Sequence, residues 1–177
     1  MKDSIHKYFK VGTIQWMSYP LSDPMDSLKA ICRDDYFDAI ELKGYGEKNE
    51  EARKLLEQSH LTVCYGAQPR LLGPKLNPNA IDEEERLKAE KTLIEAPDEA
   101  EYLGARGIAF LAGKWQQETK DQAYIQLLKT TRNVCEYAAK KRHAGGAGGV
   151  RLRYGQGRAD RPCALCGPLC RRYAHHP

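Results

Sequence analysis

The 177-residue sequence contains no apolar run of the roughly 20 residues that a helix needs to cross a membrane. Its N-terminal stretch, MKDSIHKYFK, is charged and lacks the apolar segment of a signal peptide. No Gly-x-Gly-x-x-Gly follows the first predicted strand and no Walker-type Gly-Lys-Ser/Thr occurs, so a nucleotide-binding site has little support. The sequence therefore predicts a protein without a membrane partner, and the cytoplasm is its expected location.

The greater part of the chain also lacks a disulfide framework and a large net charge of either sign. Cys32, Cys64 and Cys135 are scattered among apolar residues and are predicted to be buried free thiols. Residues 1–141 hold 21 Lys and Arg against 23 Asp and Glu, whereas residues 142–177 hold seven Arg and one Asp. A basic surface for nucleic acid would therefore have to lie in residues 142–177.

Up to about residue 141, predicted strands alternate with predicted amphipathic helices. Runs rich in β-forming residues predict strands at Val11–Tyr19, Ala39–Leu42, Leu61–Ala67 and Gly107–Ala112. One-sided apolar stripes predict helices that start at Asp23-Pro24, Asn49, Asp82 and Asp121. This βαβαβαβα order implies parallel strands joined by right-handed crossovers. The predicted fold class is α/β: four βα units of a partial (β/α)8 TIM barrel, followed by an irregular C-terminal tail. A four-stranded doubly wound sheet is the alternative.

Local signals predict where the helices begin and end. Asp23 is expected to cap the first helix, with Pro24 at its first helical position, and Asn49 is expected to cap the second. Pro97 lies inside the third helix and is expected to kink it. Gly104 is placed to end that helix.

Three stretches, FDAIELKGYG, VCYGAQPRLLGPKLNPNAIDEEER and EAEYLGARGIAFLAGKW, resemble the xylose isomerase-like TIM-barrel superfamily, over roughly residues 8–141. This is the sugar (phosphate) isomerase/epimerase group, which shares its fold with endonuclease IV. The resemblance implies a site at the C-terminal mouth of the barrel. There, acidic residues and histidine of the later strands hold a divalent metal (Mn, Mg, Co or Zn), and paired carboxylates move a proton between neighbouring carbons of a small sugar.

None of those later strands is predicted in this chain, so neither a metal site nor a catalytic residue is predicted. His6 and His60 precede strands and are expected to be ordinary surface or packing residues. The resemblance therefore implies the N-terminal half of an isomerase or epimerase, truncated and inactive by itself. The alternative is a nucleic-acid-binding protein that uses an endonuclease IV-like barrel or the basic tail. Unpaired sheet edges on the first and fourth strands could also lead the half-barrel to associate with itself.

Polar residues at the strand ends are the candidates for binding a small sugar or sugar phosphate. They are Gln15, Glu41, Lys43, Gln68, Arg70 and Lys114. Alternatively, Glu41 pairs with Lys43 or Lys114 and the others solvate loop tips. Gln68–Ala80 contains three prolines and a glycine, which predicts an irregular loop that is either functional or a plain surface excursion. Trp16 and Trp115 could line a sugar or pack in the core.

Residues 142–177 differ in composition from the rest of the chain, with seven Gly, seven Arg and no Lys, Glu or Ile. One explanation is a zinc module of Cys163, Cys166 and Cys170 with His175 or His176. A second is a disordered basic arm for nucleic acid. The third, which we favour, is translation out of frame. Reading one nucleotide later permits an alternating strand with carboxylates where a fifth strand is due, so we predict a domain at 1–141 followed by a frameshifted tail at 142–177.

Overall fold

The computed structural model describes residues 4–114 and 116–144. Four strands are present: β1 Gly12–Ile14, β2 Ala39–Leu42, β3 Thr62–Gly66 and β4 Ile108–Ala109. The helices are α1 Gln15–Ser18, α2 Pro24–Arg33, α3 Asn49–Glu57, α4 Gln68–Leu72, α5 Glu83–Ile94, α6 Ala96–Tyr102 and α7 Lys120–Ala144. Short 3-10 turns occupy Ser4–Lys7, Gly46–Lys48 and Gln117–Thr119.

The strands form one parallel sheet in the order β1-β2-β3-β4. A doubly wound sheet would reverse this order at a switch point. Sequential order with right-handed crossovers instead places the connecting helices on one side of the sheet, as in a (β/α)8 barrel. The structure therefore confirms the predicted α/β class and the partial barrel of four βα units.

The two faces of the sheet differ in burial. The face toward the helices carries Ile40 and Leu42 of β2 and Val63 and Tyr65 of β3, all buried in the main apolar cluster with residues such as Leu28. Burying each large apolar side chain contributes about 1.5–3 kcal/mol. The other face, termed the inner face, is partly open. Its residues on β1, β2 and β3 are Gly12, Ile14, Ala39, Glu41, Thr62, Cys64 and Gly66.

The helix boundaries confirm some of the predicted caps and correct one. Asp23 caps α2 by accepting from the backbone N–H groups of Met25 and Asp26, with Pro24 as the first helical residue. Asn49, in contrast, is the first residue of α3 rather than its cap. The turn Gly46–Lys48 runs directly into that helix, so the Asn49 side chain is available for other partners.

The predicted third helix is divided where Pro97 disturbs it. α5 ends at Ile94, and α6 begins at Ala96 with the proline in its first turn, where a missing N–H is tolerated. Gly104 follows α6 with a φ of 72°, as predicted. Its N–H donates to the carbonyl of Glu101, and the N–H of Ala105 donates to that of Ala100. This pair of bonds is the Schellman arrangement that ends helices.

Two predicted boundaries were wrong at the carboxyl end of the sheet. β1 ends at Ile14 rather than at Tyr19, because the next four residues form α1. The loop predicted at Gln68–Ala80 opens with α4 rather than with irregular chain, since Pro69 occupies a first-turn position that suits proline.

β4 is two residues long instead of the predicted Gly107–Ala112, because only Tyr65 and Gly66 of β3 pair with it. α7 begins one residue before Asp121 and continues to Ala144, beyond the predicted end at Lys141.

A buried ion pair of α5, Arg86 with Glu90, is hydrogen-bonded to α7. The Arg86 side chain is only 3% exposed and donates to Glu90 and to the hydroxyl of Thr130. Thr130 in turn donates to the carbonyl of Pro78 at 2.9 Å. Because each charged group is hydrogen-bonded, the pair is tolerated in an otherwise apolar interface.

Cys135 is buried as predicted, whereas Cys32 and Cys64 are only half-buried, and none of the three forms a disulfide within the described part of the chain. Within residues 4–114 and 116–144, no helix combines the length and apolar character needed to span a bilayer. The predicted tail at 142–177, its cysteine cluster and Trp115 lie outside the described residues, except that α7 includes positions 142–144.

Candidate functional site

The carboxyl ends of β2 and β3 bring Glu41 and Gln68 together. Glu41 pairs in register with Cys64 of β3 and belongs to the inner face. Gln68 begins α4 just after β3, and its Nε2 donates a 2.9 Å hydrogen bond to Oε1 of Glu41. Both side chains are half-buried. The structure thus joins two of the predicted site residues at the open end of the sheet.

Gly66 provides the space in which this pair meets Trp16. A Cβ atom at Gly66 would lie 2.6 Å from Oε1 of Gln68 and 2.8 Å from Oε1 of Glu41, and would overlap the indole ring of Trp16. Such distances are shorter than real Cβ contacts, so any larger residue would force these side chains to move. An aromatic ring therefore lies beside a carboxylate and an amide, a combination typical of small-molecule sites.

The pair also contains an acceptor without a donor. Oε1 of Gln68 is buried and has no hydrogen-bond partner among the residues that the structure describes. A buried acceptor left in this state is unfavourable by about 1–3 kcal/mol. A hydroxyl group that donates to this oxygen would remove the cost, and a sugar carries several hydroxyl groups.

A second set of predicted residues belongs to a hydrogen-bond network that crosses three strand ends. Gln15, after β1, donates to the Pro24 carbonyl at 2.6 Å and accepts from the Tyr45 hydroxyl at 2.7 Å. The Tyr45 N–H donates to Asn49, whose amide donates in turn to Glu99 at 2.7 Å. Gln15 is buried at one end of this network, and its polar atoms join the end of β1 to Pro24 and Tyr45.

Arg70 lies at the other end of the network. Its Nε donates to the Tyr65 hydroxyl at 2.8 Å, and its Nη2 donates to Glu99 at 2.7 Å. The Tyr65 hydroxyl donates to the same carboxylate at 2.5 Å. A Cβ at Gly44 would overlap the carboxylate of Glu99, so this close packing also depends on a glycine.

The protonation states of the network follow from these contacts. Burial alone would raise the pKa of Glu99, but hydrogen bonds from Tyr65, Asn49 and Arg70 together hold it below the ordinary value. Burial and the bond to Glu99 raise the pKa of Tyr65 to about 12. Burial would lower the pKa of Arg70, yet its bonds to Tyr65 and Glu99 raise it. The network is therefore an anion and a cation bridged by a neutral phenol at neutral pH.

An open groove of about 610 Å³ borders the exposed side of this network. Its lining is mostly acidic: Glu47, Glu50, Glu95, Asp98 and Glu99, with Arg70, Gly46, Asn49 and Tyr102. Glu99 and Arg70 bond to each other there, and Arg70 also reaches Glu95 at 3.4 Å.

The remaining predicted site residues, Lys43 and Lys114, follow β2 and β4. Lys43 is half-buried and Lys114 is exposed. The backbone N–H of Lys114 donates to Asn77 at 3.0 Å, which fixes the loop after β4. Within residues 4–114 and 116–144, no ion pair joins Glu41 to either lysine; the partner of Glu41 there is Gln68.

The described residues do not fit the divalent metal that the resemblance implies. No three His, Cys, Asp or Glu side chains converge among them. At the open end of the sheet, Glu41 is accompanied by the amide of Gln68 rather than by a second carboxylate or a histidine.

Sequence reasoning missed Glu99 and Tyr65 as partners of Arg70, Tyr45 as the partner of Gln15, and Asn49 as a partner of Glu99. Glu99 did leave a signal, because a charged residue stands next to the apolar positions Ala96 and Ala100 of α6. Such a carboxylate needs a partner when it is partly buried. The identity of the partner could not be read from local sequence, since Asn49 lies 50 residues away.

The sequential parallel sheet, its helices and the polar carboxyl end define an α/β protein of TIM-barrel architecture. The family model described as xylose isomerase-like TIM barrel matches residues 30–153. The chain belongs to this family. No curated protein is significantly similar to the chain.

Solved structures similar to the chain include a D-tagatose 3-epimerase-like protein, D-psicose 3-epimerase in the presence of D-fructose, and L-ribulose 3-epimerase. Their TM-scores are 0.61, 0.57 and 0.55, at 17%, 14% and 18% identity. The matches cover 74–75% of this chain and 46–49% of the other chains. These likenesses show the fold, and the chain spans about half the length of the structures it matches.

Proposed function

We propose that this chain binds a small sugar or sugar phosphate at the carboxyl end of its sheet. The observation that carries the proposal is the hydrogen-bonded pair of Glu41 and Gln68, which meets Trp16 over Gly66 and leaves Oε1 of Gln68 without a donor. The family match and the epimerase neighbours support a sugar as the ligand class.

Each group has a stated role in this proposal. The Glu41 carboxylate accepts a hydrogen bond from one hydroxyl group of the sugar, and Oε1 of Gln68, which is buried without a ligand, accepts one from a neighbouring hydroxyl when its side chain turns toward the sugar. The indole of Trp16 covers the apolar C–H face of the ring. Lys43 and Lys114, at the same end of the sheet, attract the phosphate when the ligand is a sugar phosphate.

The roles of Gln15 and Arg70 are narrower in this proposal than the sequence predicted. Their polar atoms are engaged by Tyr45 and by Glu99 respectively. We therefore assign them to positioning the strand ends, while direct contact with the ligand stays a prediction.

Calorimetric titration of the full chain with D-fructose and D-tagatose tests the proposal. Saturable binding is expected for the unchanged chain, and Glu41→Ala should weaken it by about tenfold, the effect of one lost charged hydrogen bond. Glu101→Ala is the matched control, because Glu101 is exposed on α6. Equal binding by all three proteins, or none by any of them, would contradict the proposal.

We further propose that the chain by itself does not catalyse isomerisation or epimerisation. Among the described residues of the inner face Glu41 is the single carboxylate, whereas the reaction implied by the family resemblance uses a carboxylate pair. The length of the match also supports this view, because this chain covers only 49% of the D-tagatose 3-epimerase-like structure. Interconversion of D-fructose and D-psicose by the purified chain, with Mn²⁺ or Mg²⁺ present, would overturn it.

The out-of-frame origin of residues 142–177 stays part of the proposal. It predicts that a version read one nucleotide later from residue 142, and continued to full barrel length, turns over a sugar that the present chain only binds. Resequencing the gene across residue 142 in independent isolates checks it, and an uninterrupted present frame in all of them would contradict it. The cytoplasm stays the proposed location.

A further inference from the structure

The inner face of the sheet is only partly buried by the described residues. Along β2 and β3, burial alternates strictly up to Tyr65: Ile40 and Val63 are buried toward the helices, while Ala39 and Cys64 on the inner face are only partly buried. Ile14 of β1 continues the inner row in register with Glu41. Apolar and small side chains in a sheet centre are normally covered on both faces in parallel sheets.

Both edges of the sheet are also open within the described part of the chain. β1 pairs only with β2, and β4 pairs only with β3. Large apolar side chains flank these edges: Phe9 and Met17 beside β1 are 67% and 69% exposed, and Leu111 after β4 is 42% exposed. Open edges with exposed apolar neighbours favour pairing with another strand.

We propose that a second copy of this chain covers the inner face, so that two half-barrels form one closed parallel barrel. A two-fold rotation about the barrel axis leaves strand direction unchanged. It therefore places β4 of each copy beside β1 of the other as parallel neighbours, and one operation closes both edges. The result has eight strands, the number at which a parallel barrel interior is filled by side chains.

The residues of the inner face suit this occupant. Gly12, Ala39, Thr62 and Cys64 are small, and Ile14 is the large apolar member, which matches the limited space inside an eight-stranded barrel. This chain covers 49% of the length of the matched epimerase-like structure, so that structure is about twice as long as the matched part. A second copy supplies the same strand number and the same connectivity.

Sedimentation equilibrium of the full chain tests the proposal. The expected species has twice the monomer mass of 20.0 kDa. Ile14→Asp would bury a carboxylate beside Glu41, its in-register neighbour of like charge, and should raise the dimer dissociation constant by roughly 100-fold. Ile125→Asp is the matched control, because Ile125 is 52% exposed on α7, and it should leave the dimer unchanged.

Labelling of Cys64 by iodoacetamide, read by peptide mass spectrometry, supplies a measurement that needs no variant. In the dimer Cys64 should be protected, and dilution below the dissociation constant should release it. A monomer with reactive Cys64 would overturn the proposal. A monomer with protected Cys64 would also overturn it, because residues 145–177 would then be the cover. A dimer equally insensitive to both aspartate substitutions would place the interface elsewhere.

This inference does not rest on sugar binding. The mouth with Glu41 and Gln68 stays open at the end of a closed barrel, so sugar binding and dimer formation can be measured separately. A monomer that binds D-fructose and a dimer that does not bind it are two different outcomes. The first overturns the dimer alone, and the second overturns the proposed function alone.

Discussion

Nε2 of Gln68 lies 2.9 Å from Oε1 of Glu41, although 27 residues separate them in the chain. Parallel pairing of β2 with β3 sets Glu41 opposite Cys64, and α4 then turns the chain back over the end of the sheet. The amide donates to the carboxylate with its nitrogen, which leaves its oxygen directed at no donor in the described part of the protein. In the proposed function, these two oxygens are the neighbouring acceptors for a sugar.

Replacing Gln68 with leucine should weaken sugar binding. The change removes both the donor to Glu41 and the free acceptor while conserving approximate volume, so binding of D-fructose should fall by about tenfold. Isothermal titration calorimetry measures the effect. Gln122→Leu, at an exposed position of α7, is the control. Unchanged affinity in the Gln68 variant would remove this residue from the site.

Gly66→Ala should disturb the same site by steric overlap. The added Cβ would lie 2.6 Å from Oε1 of Gln68 and 2.8 Å from Oε1 of Glu41, so these side chains and Trp16 must move. We expect loss of D-fructose binding and a lower urea midpoint. Gly12→Ala is the matched control, since its Cβ would meet Ala39 at an ordinary 3.4 Å. Equal behaviour of the two variants would show that the space over Gly66 is not needed.

Glu99 should make the fold sensitive to acid. Its folded pKa is lower than the ordinary 4.5, so ionised Glu99 stabilises the protein above about pH 4.5, and this contribution is lost as the pH falls toward the folded pKa. Glu99→Gln should lower the free energy of unfolding at pH 7 by about 1–3 kcal/mol and flatten its decline below pH 4.5.

Urea unfolding followed by circular dichroism at pH 7 and pH 4 measures this effect. Glu101→Gln, at an exposed position of the same helix, should keep the acid sensitivity of the unchanged protein. If the Glu99 variant loses as much stability in acid as the unchanged protein does, the network is not its source.

Arg86→Met should strongly destabilise the contact between α5 and α7. The substitution leaves the Glu90 carboxylate, which is 10% exposed, without its cation, and a broken buried ion pair costs about 3–5 kcal/mol. Thermal unfolding measures the loss. Arg53→Met removes an exposed pair with Glu57 and should change the melting temperature little. Comparable effects of both substitutions would refute the assignment of Arg86 to a buried pair.

The sequence predicts those features that depend on neighbouring residues. β2 has the predicted bounds because apolar alternation, Phe37 before it and the glycines after it agree. Asp23 with Pro24 marks a helix start, and Pro97 with Gly104 marks a break and an end, since each acts on backbone groups within four residues.

The features that could not be predicted join distant segments. Glu41 was a candidate from its place on β2, but its partner depends on the strand register and on α4. The prolines of this segment had led to the prediction of a loop where α4 lies. Arg70 resembles a substrate ligand by residue type, yet Glu99 from α6 engages it, 29 residues away. Only the fold brings these residues together.

The central claim, that a sugar binds at the carboxyl end of β2 and β3, is tested most directly by nuclear magnetic resonance. Backbone amide shifts of the full chain are recorded during titration with D-fructose. The account predicts saturable shifts concentrated at residues 41–44 and 66–70. Shifts confined instead to the acidic groove, at residues 46–50 and 95–102, or no saturable shifts at any residue, would contradict it.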